Sequence, residues 1–146
     1  MLRMSFFIRR NIISSWIIFD RRERIIPLVM ITILYSATSF IIFRFPIPVF
    51  LKSFIFAAFF LSLLATSINF LWKISLHSAG VGALISLVII LAFKMYTPLL
   101  WFLISAIVIA GAVLSSRLRL NTHNPQQVWI GFITGLLVLF LSMLVF

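Results

Sequence analysis

The sequence predicts an all-α integral membrane protein, a bundle of about five transmembrane helices with an interfacial helix in front of them. Three observations predict it. The 146-residue chain is 64% hydrophobic and 10% charged, with a mean hydropathy of +1.27, a composition that belongs to membrane chains and not to soluble domains. Apolar runs of about 20 residues recur along it, each long enough to cross a ~30 Å hydrocarbon core at ~1.5 Å per residue. The polar residues gather between those runs, and Trp72, Tyr96, Trp101 and Trp129 stand at the run ends, where interfacial aromatics sit.

Residues 4–19, MSFFIRRNIISSWIIF, are apolar but broken by Arg9 and Arg10. Their polar positions cluster loosely on one helical face, so an interfacial helix is expected, with a true span as the alternative. No small-residue cleavage site follows, so this segment does not read as a cleavable signal. A charged run, 20-DRRER-24, closes this basic N-terminal segment at residue 24, and residues 25–146 form the membrane domain.

The first span is expected over Ile25–Phe43, with Pro27 in the opening turn, where a missing N–H does little harm. The turn 44-RFPIP-48 leads to a second span over Val49–Trp72, in which Lys52 can snorkel to the interface. The third runs from about Ser75 to Phe93 and ends at the turn 94-KMYTP-98. The fourth covers about Leu99–Leu114 and the fifth about Val128–Phe146. Between them lies 115-SSRLRLNTHNPQQVWIG-131, an unusually polar connection for so apolar a chain. Two stretches, 79-AGVGA-83 and the GxxxG of 131-GFITG-135, are rich in small residues of the kind that let membrane helices approach closely. The third span packing on the fifth is the favoured use of them; a dimer seam is the alternative.

Twelve Lys and Arg oppose two Asp and Glu, a net charge of +10. In a soluble protein that excess would suggest nucleic acid. In a membrane protein it sets topology and attracts anionic headgroups, so no nucleic-acid partner is expected. Cysteine is absent, which excludes disulfides and thiol chemistry. Counting spans from the side of residues 20–24, called X, places the second-to-third and fourth-to-fifth connections on X as well. Side X then gathers Arg3, Arg9, Arg10, Arg21, Arg22, Arg24, Lys73, Arg117 and Arg119, and leaves Arg44, Lys52 and Lys94 on the opposite side, Y. The positive-inside rule makes X cytoplasmic.

Both histidines, His77 and His123, fall on X. Ser75 is a good N-cap for the third span. His77 then lies in the first turn, where free N–H groups and the helix dipole favour an anion. Lys73 shares that face if the helix reaches back to it. Asn124-Pro125 starts a turn, and Pro125 suits the first turn of a short helix. Cations, helix N-termini and two histidines able to carry protons or a phosphoryl group make a coherent phosphate site. The alternative reading of each residue is a solvated or anchoring side chain at the interface. No metal and no cofactor are expected.

Ser116-Arg117, five residues, His123, three residues and Gln127 resemble the SRxxxxxHxxxD signature of the type 2 phosphatidic acid phosphatase superfamily, the lipid phosphate phosphatases. The segment 75-SLHSAGVGAL-84 resembles that family's PSGH block, and the likeness covers residues 70–146. With 20-DRRERIIP-27 and 72-WKISLHSAG-80, the chain looks like a divergent bacterial branch of the kind met in Bacteroidetes, which implies the bacterial inner membrane. The resemblance implies that His123 attacks phosphorus, that His77 protonates the leaving alkoxide, that Arg117 binds phosphoryl oxygens, and that the residue at 127 orients the nucleophile. Lys73, Ser75, Arg21, Arg22 and Arg24 complete the expected phosphate-binding set.

The departures are specific. Gln127 stands where the family has aspartate. A glutamine can hold an imidazole N–H but cannot stabilise an imidazolium by charge, and the comparable change in a serine protease costs ~10⁴ in kcat. The KxxxxxxRP clamp is absent; Arg3 and Arg10 have its spacing but no proline. The family usually carries a further span, so an N-terminal one is expected to be missing. The expectation is a lipid phosphate phosphatase-like protein that binds a phospholipid or polyprenyl phosphate headgroup with weakened or lost catalysis. An active phosphomonoesterase or pyrophosphatase using a phosphohistidine is the first alternative, and a small structural subunit of a larger membrane complex the second.

Overall fold

The computed structural model describes residues 25–96, 98–121 and 123–145. The expected interfacial helix at 4–19 and the basic run holding Arg21, Arg22 and Arg24 lie outside them. The described residues form five helices and no strand: α1 Ile25–Phe43, α2 Val49–Leu71, α3 Leu76–Met95, α4 Leu100–Arg119 and α5 Pro125–Val145. All five are long and apolar enough to cross a membrane, and the chain is an all-α, multi-pass membrane bundle.

Local chemistry sets the helix ends. Pro48 precedes the first residue of α2 with φ −52°, a value the pyrrolidine ring fixes and a helix start accepts. Ser75 caps α3, its Oγ accepting the Ser78 N–H at 3.4 Å. Tyr96 ends α3 in the left-handed region, φ 51°. Across the Y end of α1 and α2, Lys52 Nζ donates to the Phe43 carbonyl at 3.4 Å. That is snorkelling with a hydrogen-bond partner at the unsatisfied end of a helix.

Two boundaries differ from the sequence expectation by three residues or more. Helix α4 continues to Arg119 instead of ending near Leu114, because the polar SSRLR stretch is a good helix former even where it leaves the apolar layer. Helix α5 begins at Pro125, so this proline opens the long fifth helix and not a separate short one.

The α3–α5 contact is the most extensive in the bundle, although α4 intervenes in sequence; α1 packs on α2, α2 on α5, and α4 on α3. The order across the bundle is therefore α1, α2, α5, α3, α4. Glycines explain why α3 and α5 meet so closely. A Cβ on Gly135 would collide with the Ala79 carbonyl, and one on Gly82 with the Phe132 carbonyl. One on Gly131 would stand 2.6 Å from the Ser75 carbonyl oxygen. The small-residue stretches of the third and fifth spans thus pack on each other within one chain. Ser86 Oγ crosses the same seam to the Leu136 carbonyl at 2.6 Å, and Ala57, Ile90, Leu139 and Met143 fill the space between α2, α3 and α5.

Helix α1 is held differently. Thr32 and Thr66 share a hydroxyl hydrogen bond of 2.9 Å between α1 and α2, and Phe43 meets Phe56 edge to face at 6.3 Å. Large apolar side chains such as Phe40, Leu34, Val108 and Leu144 are exposed, as lipid-facing residues of a membrane bundle are.

Candidate functional site

The α3–α5 seam brings two X-side connections together. At its X end the Ser75 N–H donates to the Gln127 carbonyl oxygen at 3.3 Å, so the start of α3 and the start of α5 are joined backbone to backbone. The span count placed these two connections on one side, and the structure shows them in contact.

Helix α4 delivers the rest. Its C-terminus closes with the Leu120 N–H on the Ser116 carbonyl at 3.0 Å and the Asn121 N–H on the Leu118 carbonyl at 3.1 Å. Asn121 then turns the chain through the left-handed region, φ 50°, which asparagine tolerates better than most residues. Arg117 sits on the last turn of α4, half-buried, with its Nε buried. Arg119 on the same turn is exposed.

After the turn, His123 and Gln127 are both buried, at 8% and 9% exposure. His123 Nδ1 lies 3.1 Å from Gln127 Oε1. The same oxygen accepts the Asn124 N–H at 3.2 Å. Asn124 precedes Pro125, the first residue of α5, and Val128 N–H returns to the Asn124 carbonyl at 3.2 Å. Gln127 therefore fills the third helical position of a capping box, its side chain reaching back to the N–H of the cap residue. This second duty has a chemical consequence. A backbone N–H can only be accepted, so the Gln127 atom between Asn124 and His123 is its oxygen and not its nitrogen. The Nδ1 facing that oxygen must then carry the proton. In the neutral ring this leaves the lone pair on Nε2, the tautomer a nucleophilic or proton-accepting histidine needs.

The other expected residues fall as follows. Ser75 is fully buried, and its Oγ accepts both the Ser78 N–H and the Ser78 hydroxyl, the latter at 2.7 Å. His77 is exposed in the first turn of α3, at the positive end of the helix dipole. Lys73 is half-buried, but it lies in the extended connection before the cap and not on α3. The helix does not reach back to it, and the shared helical face expected for Lys73 and His77 does not exist.

Sequence reasoning missed two neighbours. Asn69, at 1% exposure near the X end of α2, and Ser78, fully buried in the first turn of α3, add amide and hydroxyl groups to the same end of the bundle. A buried amide in an otherwise lipid-compatible run was the available signal for Asn69. The capping box was legible as well: Asn124 followed by Pro125 and, at the third helical position, Gln127 is its sequence pattern. Among the described residues, no group of three or more His, Cys, Asp and Glu could hold a metal ion. No family model, curated protein or solved structure matches the chain.

Proposed function

We propose that the protein binds an anionic lipid phosphate at the X end of the bundle, on a lipid phosphate phosphatase-like framework whose catalysis is weakened. The observation that carries this reading is the His123–Gln127 pair. The imidazole is buried, hydrogen-bonded at Nδ1 by a neutral amide, and set in the tautomer that puts its lone pair on Nε2. Arg117 on the neighbouring helix end supplies a permanent cation for phosphoryl oxygens, with His77 and Lys73 at the start of α3 as further donors. The lipid tail would lie against the apolar helix faces, with the headgroup at the interface.

On this reading, turnover would require the following of the same residues. Nε2 of His123 attacks phosphorus, the P–O bond to the lipid alkoxide breaks, and His77 gives that oxygen its proton. Water then hydrolyses the phosphohistidine to release phosphate. As Nε2 bonds to phosphorus, the ring becomes cationic. An aspartate at 127 would stabilise that charge; the amide supplies only its dipole. This favours binding over turnover, while the fixed tautomer keeps the active phosphatase as the second reading. In the proposed setting the protein resides in a bacterial inner membrane, with the excess of Lys and Arg placing X on the cytoplasmic side.

The test is binding and phosphate release with phosphatidate and a polyprenyl phosphate, using wild type, His123→Ala and Gln127→Asp. Wild type should bind both lipids and release little phosphate. His123→Ala should abolish what release there is, and Gln127→Asp should raise it by two orders of magnitude or more, on the scale of the ~10⁴ seen for an orienting carboxylate elsewhere. Binding unaffected by His123→Ala and by Arg117→Ala would overturn the site.

A further inference from the structure

Away from the X-side site, the α1–α2 seam opens toward Y. Thr32 and Thr66 join the two helices. On the Y side of that bond runs an open groove of about 570 Å³, lined by Ile33, Ser36, Ala37 and Phe40 of α1 and by Phe59 and Leu63 of α2. Each wall continues into a cation. On α1, Ile33, Ala37 and Phe40 follow the i, i+4, i+7 spacing of one face, and the next step of four reaches Arg44. Its guanidinium carbon lies 4.9 Å from the centre of the Phe40 ring, a cation–π contact on the groove wall itself. On α2, the same face leads from Leu63 through Phe59 and Phe56 to Lys52. Lys52 Nζ donates to the Phe43 carbonyl; an ammonium has three donors, and this contact uses one. The chain's only acidic residues, Asp20 and Glu23, precede α1, so the described residues offer these two cations no carboxylate.

We propose that this groove binds one anionic phospholipid of the Y leaflet, with an acyl chain between α1 and α2 and the phosphate on Arg44 and Lys52. Charge and depth both argue for that occupant. The guanidinium fork matches phosphoryl oxygens, and basic residues at a membrane surface attract anionic headgroups. A zwitterionic lipid would fill the groove as well, but its own cation would join the two already present. From Ile33 to Arg44 the path covers ~16 Å along α1 at ~1.5 Å per residue, the depth of one leaflet of a ~30 Å hydrocarbon core. A chain that fills the groove therefore carries its headgroup to the level of the cations. The inference does not depend on the X-side reading, since neither α1 nor the Y end of α2 contributes to the His123–Gln127 pair.

The chain has no cysteine, so a single introduced cysteine can report on the groove alone. Purified Ile33→Cys, labelled with bimane, is placed in vesicles that contain brominated phosphatidylglycerol or brominated phosphatidylcholine at equal fractions. The anionic lipid should quench the label at lower fractions, by roughly 5-fold for each cation at low ionic strength, and salt should shrink the difference. Arg44→Gln with Lys52→Gln should bring the two lipids level. Ala37→Phe keeps both cations but fills the groove, and it should lower the preference without lowering thermal stability. A label on Val108→Cys, lipid-exposed near the middle of α4, should show no preference. Equal quenching at Ile33→Cys, or a preference unchanged by the double substitution or by Ala37→Phe, would overturn the proposal. So would a label shielded from both lipids, which would mean that another protein segment or a second copy covers the groove.

Discussion

The α3–α5 seam and the α1–α2 seam solve the same problem by different means. Lipid tails are as apolar as leucine, so helices in a membrane gain little from hiding side chains from their solvent. Helices α3 and α5 gain contact by removing side chains: Gly82, Gly131 and Gly135 let backbone press on backbone, with carbonyls of Ser75, Ala79 and Phe132 filling the space a Cβ would need. Helices α1 and α2 keep their side chains and hold on through hydroxyls, Thr66 reaching both Thr32 and the Leu28 carbonyl. The first device is rigid, because carbonyls on a helix cannot swing aside. The second is adjustable, because a hydroxyl can rotate to another acceptor. It is the rigid seam that carries the candidate site.

This contrast can be broken by experiment. The largest effect is expected from Gly135→Val. Overpacking costs typically ~1–3 kcal/mol, and more where backbone must move. Here the obstruction is the Ala79 carbonyl, so thermal unfolding in detergent should show a loss at or above the top of that range, with His123→Ala-like loss of lipid phosphate binding. A variant as stable as wild type would mean that the seam is not close-packed. Thr66→Val should be milder, about 0.6 and at most ~1.7 kcal/mol, with lipid phosphate binding retained. If it cost more than Gly135→Val, the ranking of the two seams would be reversed. Gly80→Ala should have the smallest effect and the opposite sign. Nothing lies within 4 Å of a Cβ there, so removing unfolded-chain freedom should stabilise α3 by ~0.4–1 kcal/mol. A loss of stability would show that α3 meets something on that side.

The membrane spans were legible because hydropathy reads the layer a helix crosses. The expected bounds of the first span coincide with α1, Ile25–Phe43. The same logic failed at the X ends of α4 and α5, because a helix does not stop where the hydrocarbon does. Arg117 and Arg119 are helical because arginine favours helix and nothing before Asn121 breaks it. The packing of the third span on the fifth was legible in Gly131 and Gly135, whose spacing puts them on one face. At the site, the four-residue step from His123 to Gln127 was visible, and their contact follows from it. The role of Asn124 was not visible in that comparison, which read Gln127 only as a replaced aspartate. A side chain serving an imidazole and a helix cap at once becomes apparent only when both acceptor distances are known. Asn69 was passed over as one amide in an apolar run, and Ser78 as an unmarked position of the 75–84 segment; their burial marks both.

One consequence of the helix order concerns assembly in time. Because the most extensive contact of α3 is with α5 and not with its successor α4, the Ser75 end of α3 enters the membrane before its main partner has been synthesised. Until α5 arrives, Gly82 and Ala79 face either lipid or a temporary neighbour, and Ser75 has no Gln127 carbonyl to meet. The polar end of this bundle is therefore built late, by the return of the fifth helix past the fourth. Any factor that delays this return prolongs a state in which the spans are inserted and the site does not yet exist.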